Sequence, residues 1–454
     1  MQTNKKSINT LTTHEGGKAQ SISPLQQIRR IAMTCLLFED NFYIDGKTLA
    51  ESLEKICEKV KKEDIVKVAL EAHQKGLLRH FPLFLILQAI KKGALCKHEI
   101  AKICSRPDQM TELLSLYWKD GKRPIASQLK KGLALAFRKF DHYQLSKYNR
   151  DNAIKLRDVL FLCHAKPRDI YQEELWKKLI DNKLQVADTW ETRLSSGANK
   201  NESFTELLEA GRMGKLAILR NLRNMLIANV DKGLVERALL KPGRPILPFQ
   251  FLTAAKQVPE WEAIIDTAML TCLQSHRPLK GVTVLLVDVS GSMSDALSKK
   301  STTTRLEAAN GLAILLREIC EEVEVFTFSE TLIFVPARRG MALAESINRS
   351  QAHSCTYLGN ALLRLAGSRR LGSVIDRLIV ITDEQSSDNI PNMQIENCYM
   401  INVAPYQYGV ANTQNWHHIN GFSEHVVDYI QEYESGFLSP ISEAVDSDTD
   451  RDDT

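Results

Sequence analysis

The sequence predicts a multidomain protein in which an all-α segment of successive amphipathic helices is followed by a doubly wound α/β domain. Three observations carry that expectation. A chain of 454 residues is too long for one ordinary core and fits about two to four compact units. Apolar residues recur at three- and four-residue intervals along most of Pro24–His276, the periodicity of helices with one buried face. Beyond Arg277-Pro278 the pattern changes to short continuous apolar runs alternating with helical stretches, as in strands buried on both faces of a parallel sheet.

The helical segment divides at short polar or Pro/Gly breaks into Leu25–Phe38, Thr48–Cys57, Ile65–Lys75, Leu83–Lys91, Lys97–Ile103, Met110–Tyr117, Ser127–Phe140, Leu156–Leu162, Glu173–Leu179, Phe204–Ala210, Leu216–Ala228, Gly233–Leu239 and Trp261–Ser275. Two helices carry related basic spots, Lys91-Lys92-Gly93 at a helix end and Lys130-Lys131-Gly132 inside one, without a strict repeat period. Many antiparallel helices with weak internal similarity suit an irregular α-solenoid of the HEAT kind, whose curvature creates an extended concave surface. A compact helical bundle is the competing arrangement.

In the second part Val282–Asp288 is the first strand, followed by a Gly/Ser turn. A helix near Arg305–Cys320, the strand Val323–Phe328, a helix near Leu358–Leu365, the strand Arg377–Thr382 and a strand near Tyr399–Val403 complete the alternation. Ser442–Thr454 is acidic and poor in large apolar residues, the composition of a disordered tail. The expected division is an arm over residues 1–23, a helical domain over 24–276, an α/β domain over 277–441 and the tail over 442–454.

The net charge of +4 hides an asymmetry between the parts. Up to His276 there are 45 Lys+Arg against 31 Asp+Glu, and from Arg277 onward 14 against 24. The basic part is therefore the one expected to meet polyanions. No apolar run approaches the ~18 residues of a membrane span, and the first twenty residues lack the apolar centre of a secretion signal, so a cytoplasmic protein is expected. Nine cysteines are scattered without a C-x-x-C pair, mostly inside apolar patterns, which suits buried free thiols better than disulfides or zinc.

The first apolar strand ends in Asp288-Val-Ser290-Gly-Ser292, a D-x-S-x-S arrangement. Ligands of open α/β sheets collect outside the carboxyl ends of the strands, where these oxygens would sit. One carboxylate and two hydroxyls are hard donors that suit Mg²⁺, which prefers about six oxygens and retains waters. Asp383 follows another buried strand, and Thr356 opens the turn before a helix. Alone, the two serines could be a strand-to-helix turn or cap; the apolar strands and the second aspartate favour a divalent metal. The set Asp288, Ser290, Ser292, Thr356 and Asp383 is similar, position by position, to the metal-ion-dependent adhesion site of von Willebrand A domains. Such a site accepts an acidic group from a partner and need not catalyse anything. No P-loop occurs, and no base accompanies the aspartates at a spacing that suggests activated water, which counts against a metal-dependent hydrolase.

The chain also resembles the Ro family, whose signature is a TROVE module followed by a von Willebrand A domain. The resemblance runs from His14-Glu-Gly-Gly17 through Gln27-Ile-Arg-Arg30, Leu37–Gly46, Tyr143-Gln-Leu-Ser-Lys-Tyr-Asn149, Leu156–Pro167, Leu219-Arg-Asn-Leu-Arg-Asn224 and Leu247-Pro-Phe249 to the metal motif. The blocks at Tyr143–Asn149 and Leu219–Asn224 are most similar to bacterial members. One departure is Ala352-His-Ser-Cys-Thr356, where a glycine-rich turn would be expected before the threonine. The resemblance implies an all-α HEAT-like helical-repeat ring closed by an α/β doubly wound von Willebrand A-type domain, with a positively charged hole. It implies binding of small Y-type noncoding RNA on an outer basic surface and of single-stranded 3′ ends of misfolded or unprocessed RNA in the hole. Quality-control work with exoribonucleases such as polynucleotide phosphorylase follows from it too, without enzymatic activity of the chain's own; a monomer is expected.

Residue by residue, Lys147 in Ser-Lys-Tyr and His164 in His-Ala-Lys-Pro match positions where family members contact RNA. Lysine neutralises phosphate, and histidine can bond phosphate or stack on a base. Arg30, Lys130, Lys131, Arg138, Arg157 and Lys166, with Arg29 and Arg168, form a broader basic set, interleaved with Tyr143, Tyr148 and Tyr171. A different reading of the whole is a metal-dependent protein–protein adaptor that binds no RNA.

Overall fold

The computed structural model describes residues 19–434 apart from 22, 35–45, 75–77, 244–245, 275, 298–301, 369–373, 405–407, 411–415 and 422–424. The acidic stretch Ser442–Thr454, most of the 1–23 arm and Cys35 lie outside the described residues.

After the short strand β1 (Ala19–Ser21) come α1 (Pro24–Thr34), α2 (Gly46–Glu58), α3 (Lys62–Gln74), α4 (His80–Lys91), α5 (Lys97–Ile103), α6 (Pro107–Tyr117), α7 (Ser127–Phe137), α8 (His142–Tyr148), α9 (Leu156–Cys163) and α10 (Ile170–Ile180). The second run is α11 (Trp190–Ser195), α12 (Lys200–Glu209), α13 (Lys215–Ile227), α14 (Lys232–Leu240), α15 (Pro248–Gln257) and α16 (Glu262–Leu273). Several helices start where a polar side chain satisfies a free amide of the first turn. Asp141 accepts from the Gln144 N–H at 2.7 Å, and Asp169 accepts from the Gln172 N–H at 2.7 Å, the capping that fixes a helix start.

Helices pack both on their neighbours in sequence, α3 on α4 and α15 on α16, and on helices two places along the chain. Helices α3, α5, α7 and α9 follow one another as a layer, α4 contacts α6, and α6 contacts α8. The second run repeats this with α12 on α14 and α14 on α16, and with α13 on α15. These alternate contacts extend the buried core along each run of helices. Helix α4 shows what this asks of the sequence: Phe81 through Ala89 are all buried, because neighbours cover it on more than one side.

The α/β part comprises β2 (Leu279–Asp288), α17 (Arg305–Ile319), β3 (Cys320–Phe328), β4 (Leu332–Val335), α18 (Gly340–Asn348), α19 (Leu358–Ala366), β5 (Arg377–Thr382), β6 (Asn397–Asn402), β7 (Tyr408–Val410), β8 (Trp416–Asn420) and α20 (His425–Glu434). Six strands form one sheet in the order β4-β3-β2-β5-β6-β8, parallel except for the antiparallel edge strand β4. Both faces are covered. Val284, Leu286, Leu378 and Val380 meet α19 on one face, while Leu285, Val287, Ile379 and Ile381 face the core shared with α17. This is why the strands read as unbroken apolar runs. The chain leaves β2 for β3 on one side and returns to β5 on the other, so the switch of strand order falls between β2 and β5, where such sheets hold ligands.

Two cores result. One runs from Ile28 to Leu179 inside the first helical run. The other joins Phe204–Leu273 of the second run to the inner face of the sheet, with residues as far as Ile430. The second run of helices is thus built into the α/β part. Strand β1 pairs antiparallel with β7, Ala19 opposite Val410 and Ser21 opposite Tyr408, and α1 touches β8. The beginning and end of the described chain therefore meet. Among the described residues no helix is long and apolar enough to cross a membrane, and the described cysteines are free thiols, six of the eight buried.

Candidate functional site

Asp288 and Asp383 stand at the carboxyl ends of the adjacent strands β2 and β5, both fully buried. Asp288 Oδ1 accepts the Ser290 N–H at 2.9 Å, and its Oδ2 accepts the Thr382 hydroxyl at 2.6 Å. Asp383 Oδ1 accepts the Gln385 N–H at 3.2 Å. Burial, and after it the charge of Asp383, push the Asp288 carboxyl up to about 7. Two carboxyl groups are thus held close together in a place with little water, which favours the protonated form of Asp288.

The serines and the threonine are brought to the same rim. Ser290 Oγ lies 3.4 Å from Ser292 Oγ. The Gly291 N–H donates to Ser354 O at 2.9 Å, which draws the 352–356 turn against the D-x-S-x-S loop. The Ser387 N–H donates to Thr356 O at 2.9 Å, tying Thr356 to the loop after Asp383. Thr356 is itself buried. The turn, which lacks the expected glycines, is held by Ser329: its Oγ accepts the Ser354 N–H at 3.0 Å and donates to Cys355 O at 2.9 Å. All five sequence-predicted donors therefore lie on the loops at one end of the sheet, β2 and β5 carrying the two aspartates.

Sequence reasoning missed Arg305. This residue, 3% exposed, opens α17 and sends Nη1 to Ser292 O at 3.1 Å, Asp383 Oδ2 at 3.4 Å and Asp295 Oδ2 at 3.5 Å. The local signal present was the capping box just before it, Thr304 accepting the Glu307 N–H at 3.2 Å, which fixes the helix start but says nothing of where the side chain goes. Among the described residues no group of three or more His, Cys, Asp or Glu side chains is placed to hold a metal ion; a cation here would rely on hydroxyls and water beside the two aspartates.

The basic candidates lie on the first helical run. His164 caps α9 in the left-handed region, φ 51° and ψ 42°, with its side chain exposed. Lys130, on α7, lines the same cavity as His164, together with Trp118, Arg123 and Phe161, a hollow of about 380 Å³. Arg138 donates from Nε to Lys166 O at 2.8 Å, so these two meet through a structural bond at the foot of the α9 loop. Lys147 stands on α8 with its ammonium 5.9 Å from the Tyr143 and Tyr148 rings. Lys131, Arg157 and Lys166 are exposed, Arg157 lying 3.8 Å from Asp158. Arg29 is engaged by Glu71 at 3.2 Å, Arg168 by Asp169 at 3.3 Å. Arg30 is on α1, its side chain outside the described set. The structure brings Lys130 and His164 together and places Lys147 on a separate helix.

Residues 179–324 match the model of the TROVE domain, a span from the end of α10 into β3 that includes the helices sharing a core with the sheet. The solved Ro (RSR) protein of Deinococcus radiodurans is similar in structure, with a TM-score of 0.54 and 15% identity, over 92% of this chain and 100% of that one. No curated protein matches the chain. Residues 179–324 are thus similar to the TROVE domain, and the chain as a whole shares the fold of the bacterial Ro protein.

Proposed function

We propose that this protein is a non-enzymatic RNA-binding scaffold that holds a small Y-type noncoding RNA on its basic helical surface and admits single-stranded 3′ ends of misfolded or unprocessed RNA into a central hole. The observation that carries the reading is the TROVE match together with the Ro fold over nearly the whole chain. The excess of lysine and arginine up to His276 and the exposed His164 and Lys131 support it. In this reading the stacked helices form a HEAT-like ring, and the pairing of β1 with β7 supports its closure.

Binding draws on phosphate neutralisation and counterion release, so it weakens steeply with salt and reads shape and free ends more than base order. A cytoplasmic monomer delivering RNA to an exoribonuclease of the polynucleotide phosphorylase kind is the cellular setting that goes with this reading.

The α/β part is then a von Willebrand A-type domain whose Asp288, Ser290, Ser292, Thr356 and Asp383 hold Mg²⁺. The donors fit: all are hard oxygens, and two buried carboxylates leave negative charge that Arg305, 3.4 Å from Asp383, only partly balances. Bound there, the ion would supply a Lewis-acidic position for an acidic group of a partner.

The test is a filter-binding titration of the full chain against a structured RNA with and without a single-stranded 3′ tail, at two salt concentrations. Tail-dependent binding that falls with salt is expected. Absence of binding to either RNA would overturn the reading in favour of a protein adaptor.

A further inference from the structure

The hollow beside His164 is built from parts that a phosphate-binding surface alone does not need. Its volume of about 380 Å³ is at the small end of ligand sites. Its walls come from the end of α6, the loop from Lys119 to Ala126, the start of α7 and the last turn of α9. Phe161 is 57% exposed, and His164, the left-handed residue that ends α9, lines the same hollow. Trp118 uses its indole N–H to hold Arg123 O at 2.8 Å, and the Tyr117 hydroxyl holds Pro124 O at 2.8 Å. The loop is therefore pinned open by two aromatic donors. The Arg123 guanidinium rests 4.4 Å over the Tyr117 ring. Among the described residues no carboxylate lines the hollow, whereas Arg123, Lys130 and His164 do.

We propose that this hollow receives one unpaired nucleobase of the bound RNA, stacked against Phe161 and Trp118, with Arg123, Lys130 and His164 taking the flanking phosphates. This rests on the RNA-binding reading and adds a ligand to it. An exposed phenylalanine flanked by cations suits a flat π face carrying negative charge on either side. A base inside a duplex is stacked on both faces and cannot enter a concave site, so only an extruded or single-stranded base fits. The site accepts any base, because the groups around it offer stacking and charge rather than a fixed donor and acceptor pattern.

The experiment compares three RNAs of one hairpin: fully paired, with a single unpaired 2-aminopurine, and with an abasic residue at that position. The full-length protein is expected to bind the 2-aminopurine hairpin about 5- to 100-fold tighter than the abasic one, the range for stacking one base on an aromatic side chain, and to quench its fluorescence. Phe161→Ala brings the two affinities together, and Phe161→Tyr restores the difference; the position is exposed, and a thermal melt of each variant checks that the fold is kept. Equal affinity for the 2-aminopurine and abasic hairpins, or an unchanged difference in Phe161→Ala, overturns the proposal while salt-dependent binding of the paired hairpin leaves the RNA-binding reading standing. No binding to any of the three overturns both.

Discussion

Thr382 Oγ1 donates a 2.6 Å hydrogen bond to Asp288 Oδ2, so the strand that ends in Asp383 also braces the aspartate at the end of its neighbour. The two carboxylates are set by one pair of adjacent strands, and whatever shifts β5 relative to β2 moves both.

The pH behaviour of this pair can be worked out in sign. Burial and Asp383 raise Asp288 to about 7, above its unfolded value. Such a group holds its proton more tightly in the native state, so its stabilising contribution is full below about pH 4 and is lost as the pH rises to about 7. In chelator, the melting temperature of Asp288→Asn relative to the native sequence should therefore climb between about pH 5 and pH 7.5. A difference that stays flat over that range would mean the two charges do not oppose each other.

Millimolar Mg²⁺ should raise the melting temperature of the native protein near pH 7.5, since a ligand bound only by the folded state stabilises it. The increment should vanish in Asp383→Ala and shrink in Ser292→Ala. Retention of the full increment in Asp383→Ala would remove that residue from the metal site.

Arg305 is buried among two carboxylates and the Ser292 carbonyl. Arg305→Ala should cost about 3–5 kcal/mol in urea unfolding, the loss seen when one partner of a buried ion pair is removed. A loss under about 1 kcal/mol would show that Arg305 does not balance Asp383.

For RNA, Lys147→Ala combined with His164→Ala should weaken binding and lower the slope of log K against log salt by about 1. Neither position is buried, so the melting temperature should stay put. Unchanged affinity in the double variant would remove that surface from RNA contact.

Gly340 has φ +55°, and a Cβ there would come 2.3 Å from Asp266 Oδ1, the oxygen that accepts the Met341 N–H at 2.9 Å. Gly340→Ala should destabilise the fold by at least about 1 kcal/mol, since both backbone strain and the lost bond act together. A neutral result in thermal unfolding would show that α18 can shift to make room.

What the sequence shows well is what depends on local pattern. The run Arg377–Thr382 matches β5 residue for residue, because burial on both faces leaves an unmistakable apolar block. Helix α8 is missed as a periodic segment because Leu145 alone of its side chains is buried; its signal is the Asp141–Gln144 capping box instead. Helix α15 carries a proline in its first turn, a start signal that an apolar count overlooks. The D-x-S-x-S loop is legible because its donors are neighbours in sequence. Arg305 reaches across 78 residues to Asp383, and Trp118 and Phe161 come to line one hollow only after α6 and α9 have packed. Nothing local marks either relation.

The β1–β7 pairing sets the order in which the molecule can be made and unmade. Its partners are about 390 positions apart, and three residue pairs join them. Loop-closure entropy grows only with the logarithm of length, so the equilibrium cost of so distant a contact is modest, but so non-local a pairing is slow to form. In synthesis the amino-terminal strand must wait for nearly the whole chain to emerge before it finds its mate. By the same reasoning its amides belong to the least protected class in native-state hydrogen exchange, opening while the sheet at Asp288 stays shut.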